Sequence, residues 1–334
     1  MQKLLYIGNN LNTANSNVTS IQSLGAQLKK EGYQVKYASS IEHKLGRLFH
    51  MIWSCIRYSK WVDTVLIDTY STQNFYYAFF CSQLCRILRI PYIPILHGGN
   101  LPERLVNNPR LSNLIFKHSK VNVSPSLYLY SEFSSKGYDI AHIPNSIDLK
   151  KYDLRPKNYE AVQLLWVRSF SKIYNPEMAI HVAKLLNDTG YNVTLCMIGP
   201  DVDGRVNQCK TLAKSLGVHV QFTGKLSKKD WIERSHRCNI FINTTNFDNM
   251  PLSVIEAMAL GFPIVSTNAG GLPFLIEHNV NGLLVSKDDK DAMANAIIRL
   301  INDQDLRTKL SKNARSKAET YDWSLIKSQW KGLL

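Results

Sequence analysis

The chain of 334 residues lacks the short motifs that define several common enzyme classes. No G-x-G-x-x-G run follows a candidate strand, which argues against a nicotinamide-dependent dehydrogenase, and neither a Walker A motif nor an HExxH motif is present. The six cysteines form no CxxC pair and no zinc-like spacing. They are therefore predicted to be reduced, mostly buried thiols in a cytosolic protein.

Long hydrophobic runs and repeats are also missing. No apolar stretch reaches the ~20 residues that span a bilayer, and the opening MQKLLYIGNN leads into a strand pattern rather than a signal peptide. No repeat of solenoid period is visible. The sequence predicts a soluble, cytoplasmic protein, attached at most to the cytoplasmic face of a membrane.

The formal charge of +14 is spread along the chain. Residues 1–150 hold 16 Lys/Arg against 8 Asp/Glu, and the remainder holds 24 against 18. Such an excess favours anionic partners, namely phosphorylated small molecules, anionic lipid or nucleic acid. Nucleic acid is not expected, because the sequence has no dense basic run and no RNA-binding signature.

Short apolar runs typical of buried strands alternate with helical patterns through the chain. They lie at 3–8, 34–39, 64–69, 91–98, 120–125 and 140–144, and then at 162–167, 192–199, 218–224, 239–244, 263–267 and 282–285. Continuous apolar strands separated by helices indicate parallel sheets covered on both faces. The sequence thus predicts an α/β fold with two doubly wound, Rossmann-like domains facing a central cleft.

The boundary between the two domains is expected in the polar, aperiodic segment 145–161. This gives an N-terminal domain over residues 1–150 and a second domain over residues 151–321. A final helix is predicted from Asp322 to the end of the sequence, and we expect it to pack back on the first domain.

The stretch FDNMPLSVIEAMALGFP (247–263) places one carboxylate, Glu256, in a helix that is otherwise apolar. Asp248 and Asn249 are candidate N-terminal caps of this helix and Pro251 suits its first turn, while Gly261 followed by Pro263 is predicted to end it. A helix that is apolar around most of its circumference is normally buried, and a charged group there needs a partner. Glu256 therefore pairs with a buried cation or faces a ligand cleft. Its position after the strand 239–244 favours the cleft.

This stretch resembles the donor-site motif of the family-4 glycosyltransferases, which are retaining enzymes of GT-B architecture. They usually carry two glutamates separated by seven residues, and here Asp248 and Glu256 have that separation. The resemblance extends to 143–152, 164–172, 220–231 and 281–285. It implies sugar transfer from a UDP- or GDP-sugar to a hydroxyl of a growing glycan or lipid-linked acceptor, without metal or cofactor. Bacterial surface polysaccharide or lipopolysaccharide assembly is the setting that it implies.

The resemblance also implies roles for single residues of the second half. Glu256 would accept hydrogen bonds from the nucleotide ribose, and Asp248, in place of the usual Glu, would face the donor sugar. Arg168 and Lys172, after the strand 162–167, would neutralise the donor diphosphate. The donor-contacting positions at the helix start are Asn249, Met250, Leu252 and Ser253. Unpaired N–H groups there would bind phosphate.

In the first half the resemblance implies three further positions. His97, in the segment ILHGGN, would lie beside the transferred sugar, and Gly98 would let the backbone approach the ligand closely. Gly8 begins the turn after the first strand, where the family often has a glycine-rich loop. Here the segment 6–17 is rich in Asn, Ser and Thr instead, so hydroxyl and amide groups would make the contacts.

Each assignment has a plainer alternative. Glu256 could form a salt bridge with a nearby Lys or Arg, and Asp248 could be a helix cap. Arg168 and Lys172 could be ordinary surface cations, and His97 could be a structural histidine. For the whole chain, the alternatives are a nucleotide-sugar epimerase of the same architecture or a non-catalytic binding partner on a membrane.

The segment 43–61, HKLGRLFHMIWSCIRYSKW, combines large apolar residues with four Lys/Arg and no Asp or Glu. This pattern fits an interfacial helix that contacts an anionic membrane. The plainer alternative is a helix packed on the core with a basic solvent face, and the sequence favours this alternative slightly.

Overall fold

The computed structural model describes residues 1–11 and 19–334, which divide into two compact units. Unit 1 comprises Met1–Ser146 with Ile326–Leu334, and unit 2 comprises Ile147–Leu325. The change of unit after residue 146 falls inside the polar segment 145–161. Most of the final helix groups with unit 1.

In its described part, unit 1 contains one parallel sheet of six strands in the order β2-β1-β3-β4-β5-β6. The strands are β1 Lys3–Ile7, β2 Gln34–Ala38, β3 Thr64–Thr69, β4 Tyr92–Leu96, β5 Asn122–Ser124 and β6 Ile140–His142. The helices are α1 Ser20–Lys30, α2 Lys44–Arg57, α3 Asn74–Ile87, α4 Leu101–Asn107, α5 Pro109–Phe116 and α6 Leu127–Ser134.

Unit 2 has a second parallel sheet of six strands, in the order β12-β11-β10-β7-β8-β9. The strands are β7 Val162–Val167, β8 Val193–Ile198, β9 Val220–Gly224, β10 Ile240–Asn243, β11 Ile264–Thr267 and β12 Leu283–Val285. The helices are α7 Pro176–Asp188, α8 Arg205–Leu216, α9 Lys228–Ser235, α10 Leu252–Ala259, α11 Leu272–Leu275, α12 Lys290–Asn302 and α13 Gln304–Glu319. Helix α14, Trp323–Leu333, starts in unit 2 and continues in unit 1.

The two parallel sheets predicted from the apolar runs are confirmed. Each of the twelve predicted runs contains one of the strands. Strands β3 and β4 are buried at every residue, as expected for central strands covered by helices on both faces. Because both sheets are parallel, the carboxyl ends of all strands in a sheet lie at one edge.

The strand order of each sheet reverses at one point. In unit 1 the reversal falls between β1 and β3, and in unit 2 it falls between β7 and β10. Ligands of doubly wound folds bind outside the carboxyl ends of the strands at such a point. The residues that follow these four strands are therefore the first candidates for function.

Helix α2 was left with two interpretations, and the structure separates them in part. Met51 and Cys55 are buried in the core of unit 1. The opposite face exposes large apolar side chains, with exposed fractions of 62% for Leu45, 68% for Phe49, 50% for Trp53 and 52% for Ile56. The solvent face therefore combines these apolar side chains with the exposed Lys44 and Arg57, so it is not basic alone. In the described part of the chain, no helix combines the length and apolarity that crossing a bilayer requires.

Polar contacts join the last helix to the first elements of unit 1. Glu31, at the end of α1, forms ion pairs with Lys327 at 3.2 Å and Lys331 at 2.9 Å. The side-chain amide of Gln2 donates to the carbonyl oxygen of Leu334. Residues 326–334 are thus part of the same compact body as β1 and α1.

Candidate active site

Glu256 lies in α10 and is 6% exposed. Its Oε1 atom accepts a hydrogen bond from the Tyr152 hydroxyl at 2.8 Å and forms an ion pair with the Lys228 ammonium group. Burial, with a further contribution from the Glu256 charge, raises the pKa of Tyr152 well above its ordinary value, so this hydroxyl remains a donor. The plainer alternative for Glu256, a salt bridge with a nearby Lys or Arg, is therefore observed. The Lys228 side chain that forms it is 45% exposed.

Arg168 and Asp248 lie on the two sides of the strand reversal in unit 2. Arg168 directly follows β7, Asp248 lies in the loop after β10, and their side chains form an ion pair. The guanidinium carbon of Arg168 is 4.3 Å from the centre of the Tyr174 ring. Burial lowers the pKa of Arg168 from its ordinary value and Tyr174 opposes that change, but an arginine remains charged in proteins. The site therefore has a permanent cation, not an ordinary surface one.

Lys172 lies four positions beyond Arg168, as the first residue of a short 3-10 turn, Lys172–Tyr174. Its side chain is exposed. Its backbone N–H donates to Oδ2 of Asp203 at 3.0 Å, which ties this turn to the loop after β8. In the described part of the chain, its ammonium group is not part of the Arg168–Asp248 pair.

The start of α10 differs from the sequence prediction. The N-cap residue is Pro251, with no side-chain cap. Asp248 instead accepts, through Oδ1, a hydrogen bond from the backbone N–H of Asn249 at 2.8 Å. The predicted capping by Asp248 or Asn249 is wrong, because the N-cap position falls on Pro251 and the Asp248 carboxylate accepts from the adjacent backbone instead. The predicted end is confirmed, since Gly261 follows the helix with φ of 69°.

Polar groups without protein partners gather at this helix start. In the described part of the chain, the backbone N–H groups of Leu252 and Ser253 have no acceptor, as expected in the first turn of a helix. The buried hydroxyl of Ser253 also has no hydrogen-bond partner there. Asn249 and Met250, just before the helix, are buried. Several donors at a helix start form a site suited to an anion.

Two glycines support the loop that carries Asp248. A Cβ atom on Gly271 would lie 1.9 Å from the carbonyl oxygen of Asn249, and one on Gly270 would lie 2.2 Å from that of Asp248. The backbone N–H of Gly271 donates to the Asp248 carbonyl oxygen at 2.8 Å. Sequence reasoning missed this role, although adjacent glycines shortly after a buried strand are a usable signal for close backbone packing.

Thr244 joins this loop to the turn after β7. Its hydroxyl accepts a hydrogen bond from the Trp166 indole at 2.9 Å. The same hydroxyl lies 2.9 Å from the carbonyl oxygen of Tyr174 and 2.8 Å from that of Asn175. Thr244, directly after β10, therefore holds the backbone at Tyr174, whose ring lies against Arg168.

Unit 1 has its own polar cluster at the reversal of strand order. Nε2 of His97 lies 2.8 Å from Oδ1 of Asp68, and the Tyr6 hydroxyl donates to the same oxygen at 3.0 Å. Asp68 is fully buried, and its Oδ2 atom has no hydrogen-bond partner among the described residues. Asp68 was missed in the sequence analysis, where a carboxylate inside the apolar run 64–69 was the available signal.

Gly8 and Gly98 lie next to this cluster. A Cβ atom on Gly8 would be 2.6 Å from Oδ2 of Asp68, and one on Gly98 would be 2.4 Å from the backbone nitrogen of Ser71. Both glycines therefore permit close packing within unit 1 itself. Of the polar segment 6–17 predicted to contact ligand, residues 12–17 lie outside the described residues.

Comparison with known proteins identifies the second unit. Residues 154–317 match the family model described as Glycosyl transferases group 1. The chain carries a domain of this glycosyltransferase family. The match begins before β7 and ends within α13, so it includes Arg168, Asp248 and Glu256.

Two curated proteins illustrate the relationship in sequence. The chain is 24% identical over 352 residues to N-acetyl-alpha-D-glucosaminyl L-malate synthase of Bacillus anthracis, an alignment that covers 92% of this chain and 90% of that protein. It is 30% identical over 137 residues to a capsular polysaccharide biosynthesis glycosyltransferase of Staphylococcus aureus. That second alignment covers 41% of this chain and only 36% of the relative.

A solved structure supports the architecture. The protein HepE of Anabaena, in complex with UDP and glucose, superposes with a TM-score of 0.82 and covers 99% of both chains at 19% sequence identity. Two parallel α/β units with flanking helices, together with this similarity, confirm the predicted GT-B architecture.

Proposed function

We propose that this glycosyltransferase moves a sugar from a nucleoside-diphosphate sugar to a hydroxyl of a growing glycan or lipid-linked acceptor, with retention of anomeric configuration. One observation carries the proposal. At the edge of the second sheet, the Arg168 cation, with 15% of its side chain exposed, and the free donors of Leu252 and Ser253 belong to the same unit as Glu256. A cation with unpaired N–H groups suits a diphosphate, and a carboxylate suits adjacent hydroxyls.

Each group has a separate task in this proposal. Arg168 and the start of α10 bind the diphosphate, and Glu256 accepts from the ribose hydroxyls. Asp248 accepts from a hydroxyl of the transferred sugar. Lys172, whose exposed ammonium group has no described partner, adds a second positive charge near the phosphates.

The reaction follows from where charge develops. The bond from the anomeric carbon to the diphosphate oxygen breaks, and the acceptor hydroxyl attacks from the same face, which retains the configuration. The departing phosphate oxygen takes the acceptor's proton. Arg168 stabilises the negative charge that builds on this leaving group, and such a preorganised cation lowers the barrier directly. Neither Asp248 nor Glu256 serves as a nucleophile.

Unit 1 supplies His97, which bonds a hydroxyl of the transferred sugar. One ring nitrogen of His97 is engaged by Asp68, which leaves the other for the substrate. The name of the capsular polysaccharide relative supports a role in bacterial surface polysaccharide or lipopolysaccharide synthesis. We propose that the reaction requires no metal, since Arg168 and Lys172 supply the positive charge.

Calorimetric titration with UDP and GDP tests the donor site. We expect one of the two nucleotides to bind, and Glu256→Ala to weaken that binding by about 1–3 kcal/mol, because polar partners are left unmatched. Glu233→Ala, which removes an exposed carboxylate from α9, is the matched control. If folded wild-type protein binds neither nucleotide, the donor site is refuted and a non-catalytic binding partner becomes the better description. Consumption of donor without acceptor would instead identify an epimerase.

We also propose that the apolar face of α2 contacts an anionic membrane. Leu45, Phe49, Trp53 and Ile56 follow one another at intervals of one helical turn and are exposed. The guanidinium carbon of Arg57 lies 4.7 Å from the Trp53 ring, and the segment 43–61 has four basic residues and no acidic one. Apolar side chains bordered by basic groups are suited to the boundary of anionic lipid headgroups.

Sedimentation with lipid vesicles tests this contact. The wild type should sediment with anionic vesicles and not with zwitterionic ones, and the double variant Phe49→Ser/Trp53→Ser should remain in solution. Leu325→Ser, which removes an equally exposed apolar side chain on α14, should bind like the wild type. If the wild type ignores vesicles but forms dimers that the double variant abolishes, the face is a protein interface and the membrane proposal fails.

A further inference from the structure

The two carboxylate oxygens of Glu256 have different surroundings. The inference drawn from this difference rests on the nucleotide site proposed above. Oε1 receives both protein donors, the Tyr152 hydroxyl and the Lys228 ammonium group. Among the described residues, no group donates to Oε2. A carboxylate has two acceptor oxygens, so one oxygen is used by the protein and the other remains for a ligand.

Tyr152 is the fixed member of this arrangement. Tyr152 is 4% exposed, and two hydrogen bonds hold its backbone. Its N–H donates to the Leu149 carbonyl oxygen at 3.0 Å, and the Arg315 guanidinium donates to the Tyr152 carbonyl oxygen at 2.8 Å. Burial keeps the pKa of Tyr152 raised, so its hydroxyl is protonated and donates to Glu256 rather than repelling it. A buried hydrogen bond to a charged group is among the stronger ones in proteins.

Lys228 is the looser member. It is the first residue of α9, nearly half of its side chain is exposed, and its ammonium nitrogen lies 5.3 Å from the Trp231 ring. A solvated lysine that forms an ion pair contributes little orientation, because water competes for both groups and the side chain has many rotamers. Lys228 therefore balances the charge of Glu256, whereas Tyr152 sets its direction.

We propose that Tyr152 is a positioning residue that orients Glu256 so that Oε2 meets the ribose diol of the donor. The nucleotide class selected in this way is the ribonucleotide, since a ligand without the two hydroxyls leaves Oε2 unmatched. The protein should then discriminate between a ribonucleoside diphosphate and its 2′,3′-dideoxy counterpart. This discrimination should depend on the Tyr152 hydroxyl although that group does not touch the ligand.

Binding of the two ligands to four proteins tests the proposal. The quantity measured is the ratio of the dissociation constant for dideoxy-UDP to that for UDP, or for the guanine pair if the wild type prefers GDP. The proteins are the wild type, Tyr152→Phe, Tyr321→Phe and Lys228→Met. Tyr321 is a buried tyrosine of the same core with no described bond to Glu256, so it is the matched control.

We expect a wild-type ratio of about tenfold or more, typical of leaving a charged hydrogen-bonding group unmatched. Tyr152→Phe should bring the ratio close to one through weaker UDP binding, with dideoxy-UDP unchanged. Tyr321→Phe should keep the wild-type ratio. Lys228→Met, a change at a half-exposed position that does not endanger folding, should keep most of it.

Three outcomes decide the matter. A wild-type ratio retained in Tyr152→Phe overturns the proposal. So does a ratio lost in Lys228→Met, because the lysine would then be the orienting group, and this arm remains informative even if Tyr152→Phe does not fold. Failure of the wild type to bind either ribonucleotide would instead refute the proposed function itself.

Discussion

The Arg168 guanidinium pairs with the Asp248 carboxylate across the point where the strand order of the second sheet reverses. Both groups are assigned to the donor, Arg168 to its diphosphate and Asp248 to its sugar. A diphosphate carries more negative charge than a carboxylate, so it competes with Asp248 for the same cation. In the proposed site, donor binding therefore separates this pair and frees Asp248 to accept from a sugar hydroxyl.

Asp248→Asn should consequently change binding and catalysis in opposite directions. The Asp248 carboxylate repels the diphosphate and occupies Arg168. Its removal should therefore tighten binding of the free nucleoside diphosphate by roughly threefold to tenfold. Transfer should become slower, because an amide is a weaker acceptor for the sugar hydroxyl. Calorimetry and initial rates at saturating donor measure the two effects. Asp188→Asn, at an exposed ion pair on α7, should change neither, and weaker nucleotide binding by Asp248→Asn would contradict the argument.

Gly271→Ala should damage the donor site through the backbone. The added methyl group would lie 1.9 Å from the Asn249 carbonyl oxygen, so the loop must move. We expect a loss of about 2 kcal/mol in the free energy of unfolding, within the range for overpacked interiors, and at least about tenfold weaker nucleotide binding. Denaturant titration and calorimetry measure these. Gly332→Ala, in α14 with no heavy atom within 4 Å of the added Cβ, should leave binding intact.

Asp68 and His97 should act as one unit in sugar transfer. The 2.8 Å contact holds the imidazole in one orientation, so Asp68→Asn removes part of what His97→Ala removes. We expect each single variant to reduce kcat/KM by about tenfold to a hundredfold, typical for groups placed beside a reacting centre, and the double variant to be little worse than His97→Ala. Tyr77→Phe deletes a hydroxyl that donates to the backbone carbonyl of Asp68 at 2.7 Å, so it tests the same residue without touching its carboxylate. Additive losses would show that the two side chains act independently.

Lys157 should make stability rise with pH in the alkaline range. Burial lowers the pKa of Lys157 to about 8, although its ammonium nitrogen lies 3.5 Å from the Phe262 ring. The unfolded chain keeps this proton up to about pH 10.4. Below pH 8 both states are charged and the cost of burying the charge is fully present. Between these values the unfolded state binds more protons, so the free energy of unfolding increases with pH.

Comparison with Lys157→Met isolates this effect. The variant should be more stable than the wild type by about 2 kcal/mol at pH 7, and the difference should shrink towards pH 10. Urea titrations at pH 7 and pH 9.5 measure it. For Lys210→Met, at an exposed position of α8, the difference in the free energy of unfolding from the wild type should not change between the two pH values. A difference independent of pH would mean that packing, not charge, distinguishes methionine from lysine at this position.

The fold was largely predictable because its signal is local. Each apolar run is a property of consecutive residues, and period and length are enough to locate strands such as 64–69 and 162–167. Strand order was not predictable, since it depends on which strands pair across long separations. The reversal between β7 and β10 had to be observed before Arg168 and Asp248 could be placed on its two sides.

The partners of Glu256 show the same limit at the level of one site. The sequence predicted that this carboxylate needs a partner, because its helix is otherwise apolar. It did not indicate which one, since Tyr152 lies 104 positions away and Lys228 lies 28 positions away. The cap of α10 was misassigned for a related reason. Asp248 is a good capping residue by type, but backbone contacts from Gly270 and Gly271 hold its loop in another shape.

The grouping of residues 326–334 with the first unit has a consequence for biosynthesis. All of Ile147–Leu325 leaves the ribosome before the segment that supplies Lys327 and Lys331 to Glu31. Domains generally fold as they are synthesised, the N-terminal one first. Here the donor-binding unit can be complete while the unit made first still lacks its last helix. A nascent chain paused before residue 326 would therefore hold a finished second unit beside an unfinished first one.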